Sequence, residues 1–325
     1  MIITQTPLRI SFAGGGTDFR GYYEKDYGSV VSTAIDKFIY VVLKERFDDK
    51  IRVGYTRTEM VDSIDDIQHE LVREAMRMVG VDRGVEISTM ADIPSEGSGL
   101  GSSSTVTVGL LNALYAYKGE AVTAELLARQ ACQIEIDVLG KPIGKQDQYI
   151  AAYGGLKHFR FLSGEEVEVN NIPLDGAAKQ RLSESLLLFY TGVTRQSSEV
   201  LTEQKSNIAV KMAILDEMRT QADGLARKLK MGAVASLGQT LREGWQKKKQ
   251  LASGISNPQI DELYDLAMSA GALGGKVTGA GGGGFFLVCT PPENRSAVRK
   301  NLLHLRELPI NLERDGSKVI FNVRR

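Results

Sequence analysis

Cysteine and histidine are scarce in this chain of 325 residues, which contains 2 Cys and 3 His. Cys132 and Cys289 lie far apart in the sequence, each within an apolar run. This pattern predicts two buried thiols in a reducing compartment and argues against a disulfide framework. Because the histidines and cysteines are so few and so scattered, the ligand spacings of a structural zinc site are absent as well.

Long apolar segments and an excess of one charge are also missing. No apolar run approaches the ~18 residues of a transmembrane helix, and no basic-then-apolar segment opens the chain. Lys plus Arg and Asp plus Glu balance at 40 each, which argues against a nucleic-acid surface or an anionic-membrane surface. We therefore expect a cytoplasmic protein whose partners are small molecules, with no nucleic acid and no membrane. The sequence leaves open whether the protein forms a homodimer.

Glycine is in excess, with 34 copies, and much of it falls in three loops at 14–16, 97–101 and 279–284. So much glycine before a buried strand, as at 279–284, implies close backbone approach to a neighbouring loop or to a ligand phosphate. The chain length suits two domains, on a prior of roughly 150 residues each. The polar stretch 173–180 indicates a boundary, which predicts domains at 1–180 and 181–325.

The middle loop lies between a predicted strand, VEISTM at 85–90, and a predicted helix, TVTVGLLNALYAY at 105–117. Glycines let the backbone approach a phosphate without a Cβ clash, and free N–H groups at a helix start attract an anion. Serine hydroxyls add donors or hold a metal ion. The candidate anion-binding residues are Pro94, Glu96, Gly97, Ser98, Gly99, Leu100, Gly101, Ser102, Ser103 and Ser104. A surface turn is the alternative, which the two other glycine loops disfavour.

Two common phosphate-loop patterns are excluded. A Walker A loop needs Gly-Lys followed by Ser or Thr, but Lys276 is followed by Val277. A dinucleotide fingerprint that starts with Gly97 and Gly99 needs a third glycine at position 102, where this chain has Ser102. The protein-kinase signature set is absent too. The loop therefore belongs to another class of anion site.

Two acidic residues follow the loop. Glu135 lies late in a predicted helix at 121–139, which the linker 140–144 breaks. A short polar helix then begins at 145–149 and carries Asp147. One helix end and one turn separate the two carboxylates, a geometry that can bring both to one pocket. Paired acidic residues near a phosphate loop suggest one metal ligand and one base; two solvated carboxylates are the alternative.

Other features predict structure only. The charge run 247–249 is typical of a solvent-exposed face, and His69, among charges in a predicted helix at 65–79, is typical of the surface. We predict a further helix at 293–307. The sequence Arg-Asp-Gly-Ser at 314–317 predicts the turn of a C-terminal hairpin.

Three motifs stand in order along the chain: PLRISFAGGGTD at 7–18, Pro94 with the loop at 95–103, and KVTGAGGGGFFLV at 276–288. They resemble the N-terminal substrate motif, the nucleotide-phosphate motif Pro-x-x-x-Gly-Leu-Gly-Ser-Ser and the C-terminal glycine motif of the GHMP kinases. That family contains the galactokinases, homoserine kinases, mevalonate kinases and phosphomevalonate kinases. PLRISFAGGGTD together with GKQDQ at 144–148 is most similar to the heptose 7-phosphate kinase branch.

The resemblance implies an α+β fold with a ribosomal-S5-like N-terminal domain, a ferredoxin-like C-terminal domain and an active site between them. It implies an ATP-dependent kinase in which the loop wraps the ATP phosphates. Ser103 and Glu135 would hold Mg²⁺, which prefers a few carboxylate and hydroxyl ligands. Asp147 would orient the acceptor hydroxyl and accept its proton as the base, and Lys145 or Arg9 would offset charge there.

In the heptose kinase branch the acceptor is the anomeric hydroxyl of D-glycero-D-manno-heptose 7-phosphate. Asp18 would bind sugar hydroxyls, and the glycines at 279–283 would let the C-terminal domain close. A phosphorylated acceptor needs a second anion site, for which Arg195 at a helix start is the candidate. The candidate substrate-binding residues are Gly14, Gly15, Gly16, Thr17, Asp18, Gln146, Thr194, Arg195, Gly281 and Gly282.

Several alternatives stay open. The other candidates for the second anion site are Arg20, Arg57 and Lys157. The sugar-kinase branch often has Gly-Glu-His-Thr-Asp where this chain has GGGTD, which disfavours a galactose-type pocket. A kinase of an unphosphorylated sugar such as fucose is one alternative, and a non-catalytic sugar-sensing protein is another. The presence of Glu135 and Asp147 argues against the latter.

Overall fold

The computed structural model describes residues 1–94, 97–193 and 197–323. The strands are β1 Ile2–Ala13, β2 Tyr27–Glu45, β3 Ile51–Gly54, β4 Thr58–Val61, β5 Val85–Ala91, β6 Leu156–Leu162, β7 Val167–Asn171, β8 Leu186–Tyr190, β9 Gly274–Val277, β10 Phe285–Cys289, β11 Arg306–Glu307 and β12 Lys318–Asn322. The helices are α1 Arg20–Tyr23, α2 Glu70–Val79, α3 Ser102–Lys118, α4 Ala124–Cys132, α5 Gln146–Tyr153, α6 Gly176–Glu184, α7 Ser197–Ser206, α8 Met212–Lys230, α9 Ser236–Lys248, α10 Pro258–Ser269 and α11 Arg295–Asn301.

The larger sheet has eight strands and is organised around β2. Its order is β12-β1-β2-β5-β3-β4, and β6 joins β2 and carries β7. One edge of β2 pairs with β1 along its length, while the other edge pairs with β6 over 27–33 and with β5 over 39–45. Every pairing is antiparallel except that of β3 with β5. β2 and β3 are consecutive along the chain, yet β5 lies between them in the sheet.

Both faces of this sheet are covered, because successive side chains of a strand point to opposite faces. Val30 and Ala34 of β2 belong to a core that includes α3 residues, whereas Val31 and Ile35 belong to a second core with α8 and α9 residues. α3 is buried on nearly all sides. Its start, where the glycine loop ends, is thus fixed against the sheet.

The smaller sheet has the order β11-β8-β10-β9 and is antiparallel throughout. Along the chain its strands and helices run strand, helices, two strands, helix, strand, which is the ferredoxin-like arrangement. Trp245 of α9 and Phe286 of β10 lie in a third core beneath it. The prediction of an α+β fold is confirmed.

Two structural predictions near the C-terminus are wrong: the length of one helix and the pairing of the last strand. The helix expected at 293–307 ends at Asn301, and β11 follows. The C-terminal hairpin does not form: β12 pairs with β1, with Ile2 opposite Asn322, because the turn at 314–317 sends the chain across α5 to the edge of the larger sheet. β12 lies within the second predicted domain yet completes the first sheet; the boundary at 180/181 stays a prediction.

The predictions for the two cysteines and for His69 can also be compared with the structure. Cys132 and Cys289 are buried free thiols, as expected. His69 is only partly exposed: it precedes α2, its Nδ1 accepts a hydrogen bond from Val72 N at 3.4 Å, and its ring contacts Tyr55 edge-on. In the described ranges no helix combines the length and apolar character needed to cross a bilayer.

Candidate active site

A cavity of about 370 Å³ lies over the loop that joins β5 to α3. Roughly 300–1,000 Å³ is usual for a small-molecule site. α3 begins at Ser102, and the first N–H groups of a helix have no partner within it, so this wall of the cavity suits an anion. The loop residues that line the cavity are Gly97, Ser98, Gly99, Gly101, Ser102, Ser103 and Ser104. The sequence-predicted anion loop thus borders a cavity at a helix start.

Not every residue predicted in that loop faces the cavity. Pro94 is exposed outside it, and Leu100 is fully buried in the core between the sheet and α8. Ser95 and Glu96 lie outside the described residues. Leu100 anchors the loop to β1 instead, since its carbonyl accepts a hydrogen bond from Arg9 N at 3.1 Å.

The third glycine stretch holds this loop from the opposite side. Phe285 N donates to Ser98 O at 3.2 Å. Gly279 has a φ of 64°, and a Cβ there would lie 2.6 Å from Gly99 Cα, so the two backbones touch. Of the two alternatives from the sequence, this stretch approaches a neighbouring loop. Gly281 lines the same cavity, whereas Gly282 lies behind it and donates to Ile255 O.

Glu135 lies directly behind Ser103. α4 continues into a wider, π-helical turn at Gln133–Val138, a feature frequent at functional sites, and this turn directs Glu135 inward with 0% exposure. Its Oε1 accepts from Ser103 Oγ at 2.5 Å and its Oε2 from Gln148 Nε2 at 2.8 Å. Burial raises the pKa of Glu135, and the Lys141 ammonium, 3.8 Å from Oε1, opposes that rise.

These oxygens suit a hard divalent cation. A carboxylate and a serine hydroxyl in contact at the edge of an anion cavity are what Mg²⁺ takes when phosphates and water complete its shell. Within the described ranges no cluster of three or more His, Cys, Asp or Glu side chains offers a cation site made by protein alone. The residues present therefore fit a cation that arrives with a phosphate ligand.

Asp147 is held by Arg9. Arg9 Nε donates to Oδ1 at 2.7 Å and Nη2 to Oδ2 at 2.6 Å, a bidentate pair. The remaining guanidinium nitrogen, Nη1, donates to Gly99 O at 2.6 Å. The Arg9 side chain is only 5% exposed while that of Asp147 is 23% exposed. Arg9 thus joins the glycine loop to a carboxylate that still opens toward the cavity.

Lys145 does not share this role. Its ammonium pairs with Glu165 and lies 4.9 Å from the centre of the Tyr23 ring. It lines neither of the two cavities that Asp147 lines. Arg20 and Lys145 together lower the pKa of Glu165 to about 2, against the effect of its burial. The expectation that Lys145 offsets charge at Asp147 is therefore wrong in this structure, and Arg9 alone of the two does so.

A second, smaller cavity of about 70 Å³ adjoins the first. Both are lined by Arg9, Ile143, Asp147, Leu201, Gly279 and Ala280. Asp18 lies in the smaller one, fully buried; Oδ1 accepts from Gly16 N at 2.9 Å and Oδ2 from Gln146 N at 3.2 Å. Burial raises the pKa of Asp18, which those two N–H groups counteract. Asp147 thus stands where the two cavities meet.

Only some residues of the GGGTD turn at 14–18 line a cavity, and the others stabilise the turn. Gly14 has a φ of 85°, and a Cβ there would lie 1.8 Å from Ser29 O; the Thr17 hydroxyl donates to Gly14 O, and Thr17 lines neither of these two cavities. These two predicted substrate residues shape the turn instead. Gly15, Gly16 and Gln146 do line the smaller cavity. Thr194 and Arg195 lie outside the described residues.

Two lysines that line the smaller cavity, Lys248 and Lys276, were not predicted as site residues from the sequence. Lys248 was expected on a solvated face, yet it is 6% exposed and its Nζ donates to Gly279 O. Burial lowers the pKa of Lys248 to about 8, with Arg9 adding to the effect and Asp18 opposing it. Lys276 is also 6% exposed and donates to Ser11 O at 3.0 Å; burial, with Lys248 nearby, lowers its pKa.

A signal for Lys248 was available in the sequence. Residues 241, 245 and 248 follow the i, i+4, i+7 spacing of one helix face, and Leu241 and Trp245 are both buried. Only one residue of a three-lysine run can lie on that face, and position 248 is the one. Lys247 and Lys249 pair with acidic groups on other helices, Glu217 and Asp261.

The fold and site can now be compared with known proteins. The model for the GHMP kinases N terminal domain matches residues 68–155, and that for the GHMP kinases C terminal domain matches 225–304. The chain therefore belongs to the GHMP kinase family.

Three relatives illustrate the similarity. A D-glycero-alpha-D-manno-heptose 7-phosphate kinase of Campylobacter jejuni is 28% identical, covering 96% of this chain and 97% of the relative. The structure of a D-glycero-D-manno-heptose 1-phosphate kinase from Bacteriodes thetaiotaomicron superimposes with a TM-score of 0.83 at 25% identity, covering 100% of both chains. An L-fucokinase/L-fucose-1-P guanylyltransferase of Bacteroides fragilis is 27% identical, covering 92% of this chain and 35% of the relative.

Proposed function

We propose that this chain transfers the γ-phosphoryl group of ATP to the anomeric hydroxyl of a sugar phosphate, with D-glycero-D-manno-heptose 7-phosphate as the leading acceptor. The observation that supports it most is the position of Asp147 at the junction of two cavities. One cavity has the anion-binding wall of a nucleotide site, and the other has the polar lining of an acceptor site. Phosphoryl transfer requires donor and acceptor in line, so a carboxylate at such a junction is well placed.

Each group has a distinct task in this proposal. The α3 start and the glycine loop bind the ATP phosphates, and Ser103 with Glu135 holds Mg²⁺, which would neutralise phosphate charge when bound. Asp147, oriented by Arg9, accepts a hydrogen bond from the acceptor hydroxyl and takes its proton. Carboxylate oxygens carry further lone pairs, so the pair with Arg9 leaves acceptor capacity. Asp18 orients the sugar hydroxyls beside it.

A panel of acceptors tests the proposal. ADP release would be measured with Mg-ATP and D-glycero-D-manno-heptose 7-phosphate, the corresponding 1-phosphate, L-fucose, galactose and mevalonate, and the product would be identified by ³¹P NMR. We expect the highest kcat/KM for the 7-phosphate. A preference for L-fucose would favour the alternative that the Bacteroides fragilis relative suggests. Absence of turnover with every acceptor would favour a sugar-sensing role.

Gly15 gives a test of the acceptor cavity. Its φ is not positive, and an added Cβ would meet only Gln146 Nε2 at 3.6 Å and Ser11 Oγ at 3.8 Å, both ordinary contacts. We therefore expect Gly15→Ala to fold normally but to raise the KM of the acceptor about tenfold, the effect of one misplaced methyl group. Steady-state kinetics with varied acceptor would measure it.

The controls separate this effect from misfolding. Gly176→Ala, with nothing within 4 Å of its Cβ, is expected to change neither KM nor Tm. Gly14→Ala is expected to lower Tm strongly, since its Cβ would overlap Ser29 O. If Gly15→Ala left the acceptor KM unchanged, the smaller cavity would not be the acceptor site.

A further inference from the structure

Lys248 and Lys276 form a pair of buried ammonium groups in the smaller cavity. In the part of the chain that the structure describes, neither forms an ion pair, and each donates one hydrogen bond to a backbone carbonyl, of Gly279 and Ser11 respectively. An ammonium has three donors, so two on each remain unused. Two cations buried side by side repel each other, and burial without a counter-ion is costly.

The acidic groups of the cavity are already engaged elsewhere. Asp147 is bound bidentately by Arg9, and Asp18 accepts from two backbone N–H groups. Asp18 and Asp147 act on Lys248 only through space, and three cationic groups, Arg9 and the two lysines, outnumber the two carboxylates that line this cavity. That excess of positive charge suits an anionic group brought by a ligand.

Unpartnered polar atoms in the same cavity indicate where a ligand binds. Ser11 Oγ and Gln146 Oε1 are buried without a hydrogen-bond partner among the described residues, and both residues line the cavity. The Ser11 hydroxyl belongs to the residue whose carbonyl binds Lys276 Nζ. It thus adds a donor beside the ammonium pair, while Gln146 Oε1 offers an acceptor for a hydroxyl.

We propose that Lys248, Lys276 and Ser11 bind the phosphate group that the acceptor already carries. This inference rests on the proposed function and places the second anion site in the smaller cavity instead of at Arg195. Gln146 and Asp18 then face the sugar hydroxyls, and Asp147 faces the hydroxyl that reacts. The site selects phosphorylated acceptors because an uncharged sugar leaves the excess positive charge of the cavity uncompensated.

Kinetics of charge-removing variants test the site. Lys276→Met and Lys248→Met are expected to raise the KM of the phosphorylated acceptor about 10- to 100-fold, the loss of one charge-assisted hydrogen bond each. The KM of ATP is expected to stay within about twofold, and the preference for phosphorylated over unphosphorylated acceptor is expected to collapse. Lys247→Met, one residue away on α9 and paired with Glu217, is the matched control and is expected to change nothing.

Inorganic phosphate gives a second measurement that needs no turnover. With the donor cavity filled by a saturating non-hydrolysable ATP analogue and Mg²⁺, added phosphate is expected to raise the Tm of the wild type and not that of Lys276→Met. This measurement is informative even if the enzyme phosphorylates none of the tested acceptors. The proposed phosphate site and the proposed function can therefore fail independently of each other.

Two results would overturn the inference. One is an equal rise in KM for phosphorylated and unphosphorylated acceptors in the lysine variants, which would assign the pair to the sugar or to the reacting group. The other is an unchanged phosphate response in both lysine variants together with its loss in Arg195→Ala.

Discussion

Asp147→Asn is expected to lower kcat by about 10²- to 10⁴-fold, the range for loss of a general base, while Mg-ATP still binds. Asn keeps the size of the side chain but cannot take the proton of the acceptor hydroxyl. The glycine loop and the α3 start do not depend on that carboxylate. Steady-state ADP release would measure kcat, and calorimetry with the ATP analogue would measure nucleotide binding.

The same substitution affects stability through Arg9. Asn Oδ1 still accepts from Arg9 Nε, but its amide NH₂ faces Nη2, so one charged hydrogen bond is lost beside a nearly buried guanidinium. Arg9 retains its bond to Gly99 O. We expect a lower Tm with a cooperative transition, because removing one partner of a buried pair destabilises the fold.

A neighbouring carboxylate supplies the control. Asp137 lies ten residues before Asp147 and pairs with Arg20 at the surface, with 46% of its side chain exposed. Asp137→Asn is expected to leave kcat and Tm close to the wild type, since exposed ion pairs contribute little. Near-normal turnover in Asp147→Asn would exclude it as the base.

The local features of the site could be predicted because neighbouring residues in the sequence specify them. A strand, alternating glycines and an apolar helix, all between residues 85 and 117, determine the anion loop. The spacing from Glu135 to Asp147 crosses only one helix end and one turn. In each case the chain has few other conformations that satisfy its hydrophobic pattern and its turn residues.

The cation that pairs with Asp147 could not be predicted from residues close to it in the sequence. Lys145 is two residues away in sequence, but residues i and i+2 of a helix do not face each other, and its ammonium meets Glu165. Arg9 is 138 residues away and reaches Asp147 only because β1 passes beneath the glycine loop. The lysines of the smaller cavity depend likewise on how α9 and β9 meet the larger sheet.

Long-range pairing also explains the misplaced C-terminal strand. A hairpin is the default for two apolar runs joined by a polar turn. Here β1 would otherwise be an edge strand with unpaired backbone groups, and β12 pairs with it, with Ile2 opposite Asn322. Sequence periodicity therefore predicts that β12 is a strand, but it does not predict which strand pairs with it.

Glu135→Gln is expected to separate activity from stability. If Glu135 holds Mg²⁺ with Ser103, loss of the carboxylate charge is expected to lower kcat/KM at least about 10²-fold, because a bound metal supplies several kcal/mol of charge stabilisation. Raising the Mg²⁺ concentration is expected to restore part of the loss. Glu70→Gln is the matched control: Glu70 also binds Lys141, at 3.0 Å, but is 49% exposed.

The metal-free protein is expected to gain stability from the same change. Gln fits the site, because its carbonyl accepts from Ser103 and its amide can donate to Gln148 Oε1 once the Gln148 side-chain amide, whose Nε2 now faces Glu135, rotates by half a turn; that oxygen has no partner among the described residues. Burial raises the pKa of Glu135, so the folded state favours the protonated form, and ionisation costs stability as pH rises above the ordinary value of 4.5 through the raised one. The gain in Tm without metal is therefore expected to be larger at pH 8 than at pH 5. A lower Tm at both pH values, with full activity, would show that Glu135 supports the fold and not the cation.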